Sequence, residues 1–276
     1  MTSPLMSTTE LAARMNDPDL RIVDGSWHLD GRDARADFEA ARIPGAVFFD
    51  LDAISDHTSD LPHMLPTAAA FAEAAGALGI AKTDTIVVYD SLGLFSAARV
   101  WWTFWVMGAN RVLVLDGGLP AWRDEGRPVE SGPRAAPPPA TFHATFDSDA
   151  VADVPTVMAA LTGDAQVVDA RPAARFAGQT PEPRPGLRAG HMPGAISLPM
   201  KAVLDDTGRL KRGEALTETF QHAGVDLERP IVTTCGSGVT AAVLSLALAE
   251  LGSDSRLYDG SWAEWGARSD TPVQTD

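Results

Sequence analysis

Short runs of apolar and β-branched residues alternate along the chain with longer segments whose apolar positions follow helical spacing. The short runs predict buried strands at residues 21–24, 47–49, 85–89, 112–115, 166–168, 196–198, 231–234 and 256–258. Helical segments, such as residues 67–78 and 240–251, lie between them. This alternation predicts an α/β fold with mainly parallel sheets flanked by helices, in which ligands bind beyond the carboxyl ends of the strands.

The sequence also repeats itself weakly, at an offset of about 145 residues. Val23-Asp24 recurs as Val168-Asp169, for example, and the later matches follow in the same order. A proline-rich stretch separates the two copies. We therefore predict a first domain over residues 1–130, a linker over residues 131–148 and a second domain over residues 149–276.

Composition narrows the choice of partner and compartment. The chain has 276 residues, of which 45% are hydrophobic, and its 37 acidic and 22 basic side chains give a formal net charge of −15. Such a charge disfavours nucleic acid and anionic membranes as partners.

The first residues lack the apolar stretch of a secretory signal, and no apolar run is long enough to span a bilayer. A single cysteine permits no intrachain disulfide, so we expect a cytoplasmic protein.

That cysteine, Cys235, is the most informative residue of the chain. It stands where the apolar run 231–234 meets the segment 236–240, which leads into a helical stretch. A strand that turns through glycines into a helix directs backbone N–H groups at one point, and these stabilise an anion such as a thiolate. Most lone cysteines are small buried hydrophobes, but core packing gives no reason for Gly236 and Gly238 beside the sulfur. We predict that Cys235 is a nucleophile.

The first half has Asp90 at the position that corresponds to Cys235. A carboxylate cannot perform sulfur chemistry, so we predict that the first domain is catalytically silent. It would be retained for packing and for supplying residues to the site in the second domain.

Several motifs of the chain are similar to those of one known family. These motifs are residues 63–66, 115–118, 183–186, 190–195, 235–240 and 258–262. On these motifs, the chain resembles the tandem-domain sulfurtransferases of the rhodanese superfamily, and within it the 3-mercaptopyruvate sulfurtransferases. Thiosulfate-using rhodaneses carry cationic residues in the loop after the cysteine, whereas the loop here is neutral. The resemblance therefore favours 3-mercaptopyruvate as the sulfur donor and leaves thiosulfate as the alternative.

The resemblance also implies roles for individual residues. Arg175 and Arg184 would bind the substrate carboxylate, since a guanidinium fork matches a carboxylate in a bidentate way. A Ser-His-Asp constellation would consist of Ser237, His63 and Asp52, with His63 supplied by the silent domain; for His63 and Asp52 a structural role stays open. The loop residues expected at the substrate and the sulfur are Gly236, Gly238, Val239 and Thr240.

The reaction implied by the resemblance moves the sulfur of 3-mercaptopyruvate onto Cys235 as a persulfide and releases pyruvate. The outer sulfur then passes to thioredoxin, a small thiol or cyanide. No cofactor is expected. A metal site is not expected either, because the six histidines and one cysteine form no ligand cluster in the sequence.

Other classes of protein fit the same residues less well. The segment after Cys235 also matches a dinucleotide-binding turn, but too few residues follow it for the rest of such a domain. A cysteine phosphatase would need an arginine where Ala241 stands, and a serine hydrolase would need glycines two positions before and after Ser237. A non-catalytic sulfur-carrier module is the alternative that is not an enzyme.

Overall fold

The computed structural model describes residues 3–276, which divide into two compact units. The first unit comprises the described chain up to His57, Leu65–Asp147 and Asp206–Leu210, and the second comprises Thr58–Met64, Ser148–Asp205 and Lys211–Asp276. Each unit holds one five-stranded sheet, and all strand pairs are parallel. The predicted α/β fold with two similar sheets is confirmed. Over residues 3–276, none of the helices combines the length and the apolar character that a bilayer crossing demands.

The sheet of the first unit is built from β1 (Leu5–Met6), β2 (Leu20–Asp24), β3 (Val47–Phe48), β4 (Thr85–Tyr89) and β5 (Arg111–Leu115). Its helices are α1 (Thr8–Arg14), α2 (Ala34–Ala40), α3 (Ala68–Ala77), α4 (Ala97–Val106) and α5 (Gly118–Asp124). The strands lie in the order β1-β5-β4-β2-β3. Residues 86–89 of β4 are all buried, as expected for a parallel strand covered on both faces.

The sheet of the second unit is built from β6 (Val151–Ala152), β7 (Gln166–Asp169), β8 (Ile196–Ser197), β9 (Ile231–Thr234) and β10 (Arg256–Tyr258). Its helices are α6 (Val154–Ala160), α7 (Ala173–Phe176), α8 (Gly213–His222), α9 (Ala241–Glu250) and α10 (Ser261–Trp265). Two short 3-10 helices lie at Ser148–Ala150 and Met200–Val203. The strand order β6-β10-β9-β7-β8 repeats that of the first unit, as the sequence repeat predicts.

The predicted elements agree closely with the observed ones. Every predicted strand is present with ends that differ by at most one residue, and the two predicted helices are each one residue shorter at both ends. The pattern missed the edge strands β1 and β6. Each has only two residues, which is too short to show periodicity.

Residues 131–147, most of the predicted linker, belong to the first unit. Phe142 of this segment is 3% exposed. Its ring meets that of Phe71 at a centroid distance of 5.3 Å and that of Phe104 at 6.1 Å, both edge-on. The aromatic core of the first unit therefore extends into the proline-rich segment, which gives this part of the chain a fixed course.

Helix α9 lies at the centre of the second unit. Residues 241–248 of the helix are all buried, and β9 is buried along its whole length. A helix without a solvent-exposed face is fixed by packing on all sides. The start of α9, and with it the end of the loop after Cys235, is thereby held in place.

Candidate active site

Cys235 follows the last residue of β9, and the loop 236–240 connects it to α9. The residue is 2% exposed. This is the position at which ligands bind in an open parallel sheet, beyond the carboxyl end of a central strand. The placement expected from the sequence for Cys235 and its loop is therefore found.

The first turn of α10 holds the carbonyl groups of this loop. The Trp262 amide donates a hydrogen bond to the carbonyl oxygen of Cys235 at 3.0 Å, and the Ala263 amide donates one to that of Gly236 at 2.9 Å. In a trans peptide the next N–H points opposite to the carbonyl. The amides of Gly236 and Ser237 are therefore directed away from α10, while the carbonyl oxygens, which would repel an anion, are taken up by the helix.

Ser261 ties the same loop from a second side. Its Oγ accepts hydrogen bonds from the amides of Cys235 at 3.2 Å and Gly238 at 3.0 Å, and it donates one to the carbonyl of Tyr258 at 2.8 Å. Ser261 is fully buried and has a φ of 48°, a left-handed conformation that is uncommon outside glycine. The Gly238 amide, expected at the sulfur, is thus engaged by Ser261.

His63 and Ser237 are in direct contact within the second unit. His63 Nδ1 lies 3.0 Å from Ser237 Oγ, and the two residues are each 5% exposed. His63 belongs to the sequence of the first repeat, but the segment Thr58–Met64 packs as part of the second unit. With a φ of 62°, His63 carries backbone strain of the kind that clusters at functional sites. The predicted Ser-His pair is brought together.

Asp52, the third predicted member of that constellation, lies in the first unit. Its carboxylate accepts a hydrogen bond from Nε1 of Trp27 at 3.1 Å. Its role beside His63 stays a prediction.

Arg175 lies against the loop, at the residue next to Cys235. A Cβ placed on Gly236 would be 3.1 Å from Nη2 of Arg175, so a larger residue at this position would push the guanidinium away. Arg175 forms a short ion pair with Glu182, whose side chain is 1% exposed. Arg184, the other predicted carboxylate ligand, is partly buried two residues beyond Glu182.

Asp90 shows what the equivalent loop of the first unit can bind. Its Oδ1 accepts a hydrogen bond from the amide of Leu92 at 2.9 Å, and its Oδ2 accepts three, from the amides of Phe95 at 2.7 Å, Ser96 at 2.9 Å and Ala97 at 2.8 Å. Four backbone N–H groups therefore converge on one negative charge, as in an anion-binding nest. The loop after the carboxyl end of β4 is an anion cradle that carries its own anion.

The sequence misses two residues that this geometry singles out, Ser261 and Glu182. Ser261 lies inside the motif 258–262. Its positive φ could have been anticipated, because the equivalent residue of the first repeat is a glycine, Gly118, which has a φ of 55°. Glu182 lies between Arg175 and Arg184 in the sequence.

Val239 is 3% exposed and Thr240 is the residue before α9, and their contributions to substrate binding stay predictions. Within residues 3–276, no group of three or more His, Cys, Asp or Glu side chains is placed to hold a metal ion.

Comparison with known proteins identifies the family of the chain. A model of the rhodanese-like domain matches residues 7–125 and 154–268. The chain belongs to the rhodanese family. Its membership, expected from the motifs around Cys235, is confirmed, and the two matched segments correspond to the two repeats.

Similar proteins match over nearly the whole chain. The 3-mercaptopyruvate sulfurtransferase of Escherichia coli (strain K12) is 45% identical over 96% of this chain and 95% of the relative. The mitochondrial thiosulfate/3-mercaptopyruvate sulfurtransferase 1 of Arabidopsis thaliana is 41% identical over 99% of this chain and 79% of the relative. The crystal structure of SseA from Escherichia coli matches with a TM-score of 0.87 at 41% identity, covering 95% of this chain and 99% of that one.

Proposed function

We propose that this protein is a 3-mercaptopyruvate sulfurtransferase. The observation that carries the proposal is the placement of the Arg175 guanidinium on Gly236, next to the only cysteine of the chain. A planar fork beside a nucleophile suits a donor in which a carboxylate lies a few bonds from the reactive sulfur. The relatives named for 3-mercaptopyruvate support the same substrate.

In the first half-reaction the Cys235 thiolate attacks the sulfur of 3-mercaptopyruvate. A sulfur–sulfur bond forms, the carbon–sulfur bond breaks, and its electron pair leaves on carbon as the enolate of pyruvate, which then takes up a proton. Arg175 and Arg184 hold the carboxylate and the keto oxygen and stabilise the negative charge that develops there. Ser237 and His63 manage the proton on the substrate thiol, since their contact at 3.0 Å provides a path for it.

In the second half-reaction an acceptor removes the outer sulfur of the Cys235 persulfide. Thioredoxin, a small thiol or cyanide would serve, because each is a nucleophile that can attack the terminal sulfur. Cys235 leaves as a thiolate and is ready for the next donor. The kinetics are therefore expected to be ping-pong. A cycle that depends on an unoxidised thiol suits a reducing compartment, and we propose the cytoplasm.

Intact-protein mass spectrometry tests this scheme directly. Adding 3-mercaptopyruvate without an acceptor should increase the mass of the protein by one sulfur atom, and cyanide should reverse the gain. Cys235→Ser should show no gain. An unchanged mass of the native protein would contradict the proposed function, and loading without any turnover would favour the sulfur-carrier alternative.

Thiosulfate is the second candidate donor, because the Arabidopsis relative is named for both substrates. Measuring kcat/KM for each donor with cyanide as the common acceptor ranks the two. A higher value for 3-mercaptopyruvate is expected from the neutral loop 236–240.

A further inference from the structure

The Glu182 carboxylate joins two arginines of the second unit. Its Oε2 forms the short ion pair with Nη2 of Arg175, and its Oε1 lies 2.9 Å from Nη1 of Arg171. The side chains of Glu182 and Arg171 are 1% and 0% exposed, whereas that of Arg175 is 15% exposed. Glu182 therefore connects a fully buried guanidinium to the one that reaches the loop after Cys235.

Arg171 is fixed by every group around it. Its guanidinium pairs with Asp169 at 2.7 Å, donates to the carbonyl of Gly190 at 2.9 Å and lies 4.1 Å from the ring centre of Trp262. These contacts favour a single orientation of the guanidinium. Through it, Glu182 is anchored at the carboxyl end of β7, and the position of Arg175 over Gly236 is set by a rigid support.

The charges of this cluster cancel. Two guanidinium groups, on Arg171 and Arg175, face two carboxylates, on Asp169 and Glu182. A pair of opposite charges removed from water interacts strongly, so Glu182 offsets much of the potential that Arg175 would present to a ligand. The loop itself adds no charge. A site tuned in this way suits a donor with one negative charge better than a donor with two.

We propose that Glu182 is a positioning and specificity-determining residue of this site. It holds the Arg175 guanidinium against Gly236, and its negative charge disfavours dianionic sulfur donors relative to thiols that carry a single carboxylate. The inference rests on the proposed function, since it concerns the choice between donors at Cys235.

Glu182→Gln tests the charge, because glutamine keeps the shape and still has an oxygen that accepts from one arginine. The ratio of kcat/KM for thiosulfate to kcat/KM for 3-mercaptopyruvate, with cyanide as acceptor, should rise about tenfold. This is the order expected for one unit charge acting on a second charge of the donor several ångströms away. An unchanged ratio would overturn the assignment of specificity.

Glu250→Gln is the matched control. Glu250 also pairs with an arginine of the second unit, Arg212, at 2.9 Å, with its side chain 11% exposed. It ends α9, at the opposite end of the helix from Cys235. The substitution changes the net charge of the protein equally and should leave the donor ratio within about twofold of the native value. A shift as large as that of Glu182→Gln would mean that net charge alone acts, which would overturn the proposal.

Glu182→Asp separates position from charge and decides the matter if Glu182→Gln does not fold. The shorter side chain keeps the negative charge but cannot hold both arginines at these distances. It should lower kcat/KM for both donors about tenfold and leave their ratio unchanged. Native activity, or a changed ratio, would contradict the proposal. The mass gain of the unsubstituted protein with 3-mercaptopyruvate is measured separately. Its absence would contradict the proposed function, whereas a normal gain with an unchanged donor ratio in Glu182→Gln would contradict only this inference.

Discussion

Asp90 and Cys235 occupy the same position in the two repeats, and the carbonyl group of each accepts a hydrogen bond from an equivalent amide. The carbonyl oxygen of Asp90 accepts a hydrogen bond from the Leu119 amide at 3.0 Å, and that of Cys235 accepts one from the Trp262 amide at 3.0 Å. The two repeats therefore share this backbone contact after their central strands, β4 and β9, and they differ in the side chain that the loop surrounds. In the first unit a carboxylate satisfies the loop amides permanently, whereas in the second a sulfur stands at the same point.

Removing the built-in anion should destabilise the first unit. In Asp90→Ala the amides that now bind the carboxylate lose their acceptor, and those of Ser96 and Ala97 are buried. Each buried unpaired amide costs about 1–3 kcal/mol, so we expect a loss of about 3 kcal/mol in the free energy of unfolding, measured by urea denaturation. Asp124→Asn, on the exposed end of α5, is the control and should change it by less than about 0.5 kcal/mol. Equal effects of the two substitutions would contradict the assigned role of Asp90.

The hydroxyl of Ser261 should matter for both stability and activity. Ser261→Ala leaves the amides of Cys235 and Gly238 without their acceptor, which should cost about 2 kcal/mol of stability and lower kcat/KM about tenfold for either donor. Ser261→Gly loses the same hydroxyl but relieves the strain at a φ of 48°. It should therefore be about 1 kcal/mol more stable than Ser261→Ala and equally impaired in activity. Recovery of activity in the glycine variant would show that backbone conformation, not the hydroxyl, is what the loop needs.

Local patterns predicted the parts of the site that lie close together in the sequence. The end of β9, the turn through Gly236 and the start of α9 follow one another directly, so the position of Cys235 was readable from the order of residues. Ser261 reaches the same loop from 26 residues further on and depends on a positive φ, which no hydrophobic pattern records. The contact of His63 with Ser237 spans 174 residues. That pair came from the resemblance to a family, because no spacing rule joins residues so far apart.

The pairing of His63 with Ser237 predicts a difference between the two donors. His63→Asn keeps a residue type that tolerates the φ of 62°, but it removes the imidazole. We expect kcat/KM for 3-mercaptopyruvate, whose thiol proton must be moved, to fall about a hundredfold. Thiosulfate carries no proton on its sulfur, so its kcat/KM should change much less.

The rate of Cys235 alkylation by iodoacetamide is the control for the integrity of the site in this variant. It should stay within about threefold of the native rate, because the amides around the loop are unchanged. Ser237→Ala should reproduce the same donor-dependent loss. A uniform loss with both donors would assign His63 to structure instead of proton transfer.

The Asp24 carboxyl should give the first unit a pH-dependent stability. Burial at the end of β2 raises its pKa from 3.8 to about 6, although hydrogen bonds from Ser26 and Tyr89 lower the pKa in part. The native state then binds a proton more tightly than the unfolded state, so this group costs stability as the pH rises from about 4 to about 6. Fully ionised, it costs on the order of 3 kcal/mol.

Asp24→Asn removes this titration while its side-chain oxygen can still accept from the Ser26 amide, which now donates to Oδ1 at 2.9 Å. Urea denaturation of the variant and the native protein at pH 4 and pH 7 gives the test. The unfolding free energy of the variant minus that of the unsubstituted protein should increase by about 2–3 kcal/mol from pH 4 to pH 7. Only the unsubstituted protein must ionise a buried carboxyl over this range. A difference that stays constant from pH 4 to pH 7 would show that the pKa of Asp24 is the same in the folded and unfolded protein. That result would contradict the predicted pH dependence.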